Sequence, residues 1–473
     1  MEPETAADRP DNGAPTVALK RYAYYEQLLS QQYRYFVPEG KKVLYIGCRS
    51  GRILASLNPA YAVGIDPSLE HIEIGRLQYP QSHFIAGKPD TAVLSQLRQV
   101  EGAGNFDYVI LSHILGTCDD IEVFLKALRP FCSPDTRVII EFNSYLWHYL
   151  LKTAGLLRLI SPRGMVNWLT EGDIRNFLTL SGYEMIKNER TILLPIRVWG
   201  LSYVLNKFFA KMPFFNALTL SHFMIARPVF SANSEDSVTI VIPSRNEKGN
   251  VESAISRTPE FGASQEFIFV EGHSRDGTYE EIERVIQKYP RKNIKLVKQT
   301  GEGKGDAVRQ GFLMAEGNIL MILDADLTVP PEDLPKFYEA LKDNKGEFIN
   351  GCRLIYPMED EAMRFLNLIA NKFFGLFFSW LLGQRFKDTL CGTKVLYRRH
   401  YEAIAANRHY FGDFDPFGDF DLIFGAIKLN LKVIEVPIRY KNRMYGTTQI
   451  KRFKHGLLLF RMCGVAMRKI KFM

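Results

Sequence analysis

Short apolar runs alternate with longer amphipathic stretches along most of the chain. In the first half these runs are KVLYIG at 42–47, AVGID at 62–66, FDYVILS at 106–112 and RVIIEF at 137–142. Such runs are typical of strands in a parallel sheet, and the stretches between them predict crossover helices. The segment 168–196 adds one more helix and strand, and LSHFMIARP at 220–228 predicts the last strand.

A second series of strand-like runs begins at VTIVIPS, 238–244, and continues through FIFVEG, 267–272, and NILMILDADLT, 318–328. No period of 20–50 residues recurs in either half, so the pattern predicts two different α/β domains in series. We predict a disordered lead-in at 1–19, a first domain at 20–228, a linker at 229–237, a second domain at 238–455 and a basic amphipathic helix at 456–473.

Composition and charge restrict the functional class. The chain has 473 residues, a formal net charge of +8 and six cysteines, none of them in a metal-ligand spacing. Free thiols fit a reducing compartment, and the polar N-terminus is not a signal peptide, so we expect a cytoplasmic protein. No acid follows Arg439, and the basic residues beyond it alternate with apolar ones. This pattern favours an anionic membrane surface rather than nucleic acid as a partner.

The first domain has a glycine turn directly after its first strand, in VLYIGCRSG. Together with GIDPS and the following strands, this motif resembles the class I S-adenosylmethionine-dependent methyltransferases, which have a Rossmann-like fold. The resemblance implies S-adenosylmethionine binding at Gly47, Gly51 and Asp66, where Asp66 would bind the ribose. Tyr45 and Arg49 depart from the family, which usually has an acid and a glycine there, so the motif supports the fold more than the activity.

The second domain ends an apolar strand with Asp324 and Asp326. At the carboxyl edge of a parallel sheet, carboxylates at alternate positions can bind one hard cation, Mg²⁺ or Mn²⁺. Other strands deliver polar residues to the same edge, and a glycine-rich stretch places Lys304 at a helix start, where phosphate binds well.

These stretches resemble a family 2 glycosyltransferase of the GT-A fold, in the dolichyl-phosphate mannose and glucose synthase branch. The resemblance implies a nucleotide-sugar donor, of the GDP-mannose or UDP-glucose type, and metal binding by Asp324 and Asp326. It implies that Arg443 contacts the diphosphate or the acceptor phosphate, and that Lys394 lies on the acceptor side. The residues assigned to the donor are Pro243, Asn246, Glu247, Glu271, Asp276, Lys304, Asp324 and Arg353.

The acceptor decides whether a general base is needed. A lipid phosphate has a second pKa of about 6 and attacks as a dianion, whereas a hydroxyl of a glycan acceptor must lose a proton. Asp419 and Asp421 are the candidate bases, and both are also well placed as ordinary helix-start carboxylates.

We therefore predict a metal-dependent, inverting transferase of a hexose from a nucleotide sugar to a polyprenyl phosphate or similar lipid. Two alternatives remain: a bifunctional enzyme that also methylates its product, and a transferase with a non-catalytic N-terminal binding or regulatory module. The apolar segment 364–386 has a stripe of small and polar residues and predicts a helix lying on the membrane, so we expect peripheral membrane association.

Overall fold

The computed structural model describes residues 17–147, 153, 169–230, 235–355, 365–411, 418–443, 445 and 460–472. The chain divides into two compact units, Met1–Pro228 and Val229–Met473.

The first unit is built on a seven-stranded sheet in the order β3-β2-β1-β4-β5-β7-β6. All neighbouring strands are parallel except β7, which is antiparallel to both β5 and β6. The strands are β1 Lys42–Ile46, β2 Tyr61–Asp66, β3 His83–Ala86, β4 Phe106–Ser112, β5 Cys132–Asn143, β6 Tyr183–Thr191 and β7 Ser221–Pro228.

Helices connect these strands, and several of them start at side-chain caps. Ser68, Asp90 and Asp120 each accept a hydrogen bond from a backbone N–H in the first turn of the helix that follows. The helices are α1 Val17–Phe36, α2 Arg52–Ser56, α3 Leu69–Gln78, α4 Thr91–Leu97, α5 Ile121–Leu128, α6 Glu171–Leu180, α7 Leu201–Lys207 and α8 Pro213–Asn216.

The second unit has its own seven-stranded sheet in the order β10-β9-β8-β11-β13-β12-β14. Strands β10, β9, β8 and β11 are parallel, β13 is antiparallel to its neighbours β11 and β12, and β14 is parallel to β12. The strands are β8 Val238–Ser244, β9 Gln265–Glu271, β10 Asn293–Lys298, β11 Ile319–Ile322, β12 Phe348–Cys352, β13 Lys394–Tyr397 and β14 Val433–Pro437.

Helices of the second unit pack on a buried apolar core around β8, β9 and β11. They are α9 Val251–Ser256, α10 Thr278–Lys288, α11 Lys304–Met314, α12 Leu334–Lys342, α13 Phe365–Leu382, α14 Arg398–Ala406 and α15 Asp419–Lys428. Residues 460–472 are helical and end in a π-helical turn, Met467–Lys471.

The strands expected from the apolar runs are present in both units. Helix α1 begins at Val17, inside the predicted lead-in of 1–19, while residues 1–16 lie outside the described residues. Part of the predicted linker, 231–234, and the start of the predicted C-terminal helix, 456–459, also lie outside them. Within the described part of the chain, no helix is long and apolar enough to cross a membrane.

Candidate functional site

The candidate site of the second unit lies where β8, β9 and β11 end. These strands are parallel neighbours, with Ser244 of β8 paired with Glu271 of β9 and Ile322 of β11 paired with Val241 of β8. The carboxyl ends of parallel strands lie at the same sheet edge. The edge therefore collects the predicted donor residues Pro243, Asn246, Glu247 and Glu271 and the two aspartates after β11.

Arg443 bridges two acids of this edge. Its Nη2 lies 2.7 Å from Asp326 Oδ2, and its Nη1 lies 2.8 Å from Glu247 Oε1. The other Glu247 oxygen accepts a hydrogen bond of 2.7 Å from Asn250. Burial raises the pKa of Glu247, although Arg443 opposes that shift. The guanidinium thus neutralises one of the predicted metal ligands.

Lys304 forms the matching contact with the other predicted metal ligand. It is the first residue of α11, and its Nζ lies 2.6 Å from Asp324 Oδ1. Burial works against the charge of Lys304, but Asp324 outweighs it and the pKa of Lys304 is raised. Each aspartate of the pair is therefore held by a basic residue of the same unit.

Gly392 makes room for the Asp324–Lys304 pair. A Cβ atom built on Gly392 would overlap both Asp324 Oδ2 and Lys304 Nζ. A larger residue at this position would therefore displace the pair; the glycine follows Cys391 in the acceptor-side motif DTLCGTK. We did not predict this residue from the sequence, where nothing distinguishes it from other loop glycines.

The loop that carries Asp326 is fixed by its own hydrogen bonds. Thr328 donates to Asp326 Oδ1 from its backbone N, at 3.2 Å, and from its hydroxyl, at 2.8 Å. The carboxylate side chains of Asp324 and Asp326 are 25% and 16% exposed. Two partly open carboxylates at a sheet edge are the oxygen donors that Mg²⁺ and Mn²⁺ prefer, so the residues fit such a cation.

Other predicted donor residues organise the loops after β8 and β9. Asn246 has a positive φ of 56°, its backbone N donates to Ser274 Oγ at 2.9 Å, and its Oδ1 accepts from Arg275 N at 2.8 Å. Glu271 Oε1 accepts from Ser274 N at 2.5 Å. These contacts tie the two loops together beside the acids.

Asp276 links the same loops to the chain near Arg443. Its carboxylate accepts hydrogen bonds from Thr278, from Lys248 N at 3.2 Å and from the Tyr445 hydroxyl at 3.2 Å. Burial would raise the pKa of Asp276, but these hydrogen bonds, led by that of Thr278, lower it.

The predicted donor residue Arg353 and the predicted acceptor-side residue Lys394 are both engaged in ion pairs. Arg353 forms a two-pronged pair with Asp388, at 2.7 Å and 2.8 Å. Burial opposes the charge of Arg353, but Asp388 raises its pKa. Lys394 is fully buried, and its Nζ lies 2.9 Å from Asp419 Oδ1 and donates to Cys391 O. The predicted phosphate contact of Lys394 stays a prediction.

The two candidate bases have different partners. Asp419 pairs with Lys394 as above, whereas Asp421 Oδ2 accepts from Arg408 Nε at 2.8 Å. Both aspartates are buried at the start of α15. Asp419 also contributes to the raised pKa of Lys304, so it belongs to the electrostatic network of the site.

In the first unit, the predicted cofactor residues are engaged by the unit itself. Asp66 is buried, its Oδ2 accepts from Arg49 N at 2.8 Å, and its Oδ1 accepts from Ser68 N at 3.0 Å and lies 3.2 Å from His71 Nδ1. A Cβ on Gly51 would collide with the ring of Phe84, and a Cβ on Gly47 would overlap Ser112 O. Packing within the unit therefore already explains both glycines.

A buried acid lies at the same edge of the first unit. Glu141 of β5 has no exposed side-chain surface and accepts hydrogen bonds from the hydroxyls of Ser112 at 2.6 Å, Tyr25 at 3.2 Å and Tyr33 at 3.3 Å. His113 Nε2 lies 2.9 Å from the same carboxylate. We missed this cluster in the sequence, where the lone acid in the apolar run RVIIEF was the available signal.

Tyr45 stands beside this buried acid. Burial, with Glu141 nearby, raises the pKa of Tyr45, so its side chain is a neutral phenol. Tyr45 offers no carboxylate to an ammonium group, whereas Asp66 Oδ2 accepts one of the two hydrogen bonds that a carboxylate oxygen can take. The ammonium group of S-adenosylmethionine would therefore lack its acid at position 45, and we derive no methyl-transfer step from these residues.

Comparison with known families confirms both resemblances. The family model described as "Glycosyl transferase family 2" matches residues 239–405, and one described as "Methyltransferase domain" matches residues 20–188. The chain therefore carries a methyltransferase-type domain followed by a family 2 glycosyltransferase domain. The glycosyl transferase match, 239–405, includes Asp324 and Asp326 and ends before Asp419 and Arg443.

Two curated relatives each match less than half of the chain. The chain is similar to a dolichol-phosphate mannosyltransferase of Pyrococcus furiosus, with 30% identity over 222 residues, 45% of this chain and 59% of the relative. A dolichyl-phosphate beta-glucosyltransferase of Dictyostelium discoideum is 26% identical over 222 residues, 43% of this chain and 66% of the relative. The chain thus spans less than two thirds of the length of either relative.

Among solved structures, glucosyl-3-phosphoglycerate synthase from Mycobacterium tuberculosis, in complex with Mn²⁺, UDP-glucose and glycerol 3-phosphate, is 16% identical. The alignment covers 50% of this chain and 80% of that chain, with a TM-score of 0.36.

Proposed function

We propose that the family 2 glycosyltransferase domain moves a hexose from a nucleotide sugar to a polyprenyl phosphate, with a divalent cation bound by Asp324 and Asp326. The observation that carries the proposal is the pair of partly open carboxylates after β11, each held by a basic side chain. The names of the similar dolichyl-phosphate mannosyl- and glucosyltransferases support this substrate class.

The cation would supply positive charge to the leaving nucleoside diphosphate, and Asp324 and Asp326 would hold it. For the cation to bind, Lys304 must release the carboxylate of Asp324 and Arg443 must release that of Asp326. Both then become available to phosphate oxygens, and the guanidinium is well suited to them because it donates in a fixed fork. Arg443 and Lys304 would thus pair with the aspartates in the free enzyme and with phosphate oxygens in the substrate complex.

A phosphate acceptor agrees with the partners of the two candidate bases. Asp419 is paired with Lys394 and Asp421 with Arg408, and both aspartates are buried. A hydroxyl acceptor would require one of them to take a proton. A phosphate monoester, with a second pKa of about 6, is largely dianionic at neutral pH and requires no base. The acceptor proposal therefore leaves both ion pairs intact.

For the first unit we infer a non-catalytic module rather than a methyltransferase. The inference is supported by the phenol at Tyr45 and by the packing reasons for Gly47 and Gly51. Peripheral association with the membrane that holds the lipid acceptor belongs to the same proposal.

The test is an assay of the whole chain with polyprenyl phosphate, Mn²⁺ or Mg²⁺ and labelled GDP-mannose or UDP-glucose. We expect a lipid-extractable sugar phosphate with one of the donors, and its loss when the metal is chelated. Labelled product from a glycan acceptor, with none from polyprenyl phosphate, would contradict the lipid-phosphate proposal. Absence of product with every donor and acceptor would contradict the transferase itself.

A further inference from the structure

The first unit contains a long connection where its sheet requires only a short one. Strands β6 and β7 are antiparallel neighbours, with Thr191 paired with Ser221. Antiparallel neighbours are usually joined by 2–5 residues, yet residues 192–220 stand between these two strands. We call these residues the β6–β7 insertion.

The β6–β7 insertion is tied to the sheet by polar side chains. Asn206 accepts hydrogen bonds from Leu193 N and Leu194 N, both at 2.8 Å. Asn216 donates to Arg190 O at 3.1 Å and to Ala210 O at 2.9 Å. Ser202 is buried, with its hydroxyl 2.7 Å from Ile196 O. These three polar side chains of the insertion therefore face inward.

The apolar side chains of the β6–β7 insertion face outward. Eleven of the 26 exposed large apolar side chains in the described part of the chain fall within residues 196–218. Trp199 is 98% exposed, Phe214 76% and Tyr203 58%. This arrangement reverses that of an ordinary water-facing surface, where contiguous apolar patches are small.

The charged residues within the insertion itself have one sign. No Asp or Glu occurs between Glu189 and Glu235. Arg197 is exposed, and the Lys207 ammonium lies over the ring of Tyr203, 5.1 Å from its centroid. Aromatic residues with cations beside them and no acids are typical of surfaces that enter the headgroup region of an anionic bilayer.

We propose that the β6–β7 insertion is a membrane-docking surface that places Trp199 and Phe214 in the headgroup region of an anionic lipid bilayer. Trp199 sits beside Gly200, whose φ of 67° turns the chain into α7 and leaves the indole projecting from the surface. Arg197 and Lys207 would lie at the level of the lipid phosphates, with their aliphatic stems against the apolar layer. Membrane docking would suit a non-catalytic module. The observations that support it do not depend on the proposed sugar transfer.

The test uses the full chain and its tryptophan fluorescence, with vesicles of phosphatidylcholine alone or mixed with phosphatidylglycerol. Brominated acyl chains quench only tryptophans that reach the bilayer. We expect quenching with the mixed vesicles and loss of the quenched component in Trp199→Phe, although the other three tryptophans remain. The double variant Trp199→Ser/Phe214→Ser should partition at least about tenfold more weakly, because each aromatic side chain loses its burial in the bilayer.

Leu77→Ser is the matched control, since Leu77 of α3 is 83% exposed and lies outside the β6–β7 insertion. It should partition like the unaltered chain. Quenching in Trp199→Phe as strong as in the unaltered chain, or equal partitioning of the double variant, would overturn the proposal and leave other segments, the helix that carries Trp380 or the basic C-terminal segment, as the membrane contact. Self-association that the double variant abolishes, without any quenching, would identify the surface as an interface between copies. Because no readout requires substrate, failure here leaves the transferase proposal unaffected.

Discussion

The two units use acids differently at the carboxyl edges of their sheets. In the second unit, Asp324 and Asp326 are partly exposed and each contacts a flexible cation, Lys304 or Arg443. In the first unit, Glu141 is enclosed and takes hydrogen bonds from three hydroxyls. An acid held by a mobile cation can exchange that partner for a metal ion. An acid surrounded by hydroxyls in the interior has become part of the fold.

The difference explains why similar sheets lead to different functional conclusions. Hydroxyl donors stabilise a buried carboxylate only in one fixed geometry, and leaving such a group unsatisfied costs about 1–3 kcal/mol. A partly exposed ion pair contributes little to stability, typically 0–1 kcal/mol, so breaking it costs little. The second edge can therefore rearrange around a ligand, and the first cannot do so without loss of stability.

The largest effect is expected for Asp326→Asn. The amide cannot replace the carboxylate as a metal ligand, so sugar transfer should fall by about 1,000-fold. Stability should change by less than about 1 kcal/mol, because Arg443 keeps its contact with Glu247. Initial rates and denaturant unfolding measure the two quantities. Asp333→Asn, which removes an exposed pairing with Lys336, is the control and should leave transfer unchanged.

Gly392→Ala should impair transfer while leaving the fold intact. The added Cβ overlaps Asp324 Oδ2 and Lys304 Nζ, so this pair must shift. We expect kcat to drop by about 10–100-fold, the size of effect that follows when a catalytic group is displaced by roughly 1 Å. Gly464→Ala, at a glycine whose Cβ direction is open, is the matched control. Unchanged kcat in Gly392→Ala would remove the pair from the mechanism.

The interior of the first unit should make the chain acid-sensitive through His222. Burial lowers the pKa of His222 to about 4, below its ordinary value of about 6.5. Between about pH 6.5 and pH 4, His222 is protonated in the unfolded chain but not in the native chain. The free energy of unfolding therefore falls as the pH is lowered through this range, by up to about 3 kcal/mol. Unfolding free energies at several pH values should show a shallower acid slope in His222→Gln. An identical slope would contradict this origin of the acid sensitivity.

A smaller effect is expected for Glu141→Gln. The amide keeps one acceptor oxygen but turns an N–H₂ group toward hydroxyl donors, so the first unit should lose about 1–3 kcal/mol. Sugar transfer should be unaffected after correction for the folded fraction. Denaturant unfolding with Glu101→Gln as an exposed control measures the loss. Stability equal to that of the control would mean that the hydroxyl cluster contributes nothing to the fold.

Local patterns predicted much of both sheets, because a buried parallel strand appears in the sequence as a short continuous run of apolar residues. The positions of Asp324 and Asp326 followed from the strand before them. Their partners did not, since Arg443 lies 117 residues beyond Asp326 along the chain. The same limit applies to Glu141, whose hydroxyl donor Tyr25 is 116 residues away. Pairing across such distances is a property of the fold that no local spacing encodes.

Two neighbouring aspartates illustrate a finer limit. The sequence offered both Asp419 and Asp421 as base candidates. Two residues on a helix are separated by about 200°, so the side chains point to opposite faces. Accordingly Asp419 meets Lys394 and Asp421 meets Arg408. The partner of each aspartate depends on the face of the helix on which it lies. Those faces became known only from the structure, in which α15 begins at Asp419.

The β6–β7 insertion shows a third limit of the sequence, the direction in which apolar side chains face. Its sequence, LLPIRVWGLSYVLNKFFAKMPFF, is as apolar as a core segment. Apolarity alone cannot tell whether a side chain faces the interior or the outside. The inward contacts of Asn206 and Asn216 use the buried side, which leaves Trp199 and Phe214 outside.

The central claim is that the acids of the second unit are held by cations that a metal ion must displace. The direct measurement is the affinity of the purified chain for Mn²⁺ without nucleotide, compared with that of Arg443→Gln. Removing the guanidinium frees Asp326 Oδ2, so we predict Mn²⁺ binding about tenfold tighter together with slower sugar transfer. Mn²⁺ affinity that is unchanged or weaker in Arg443→Gln would contradict the account.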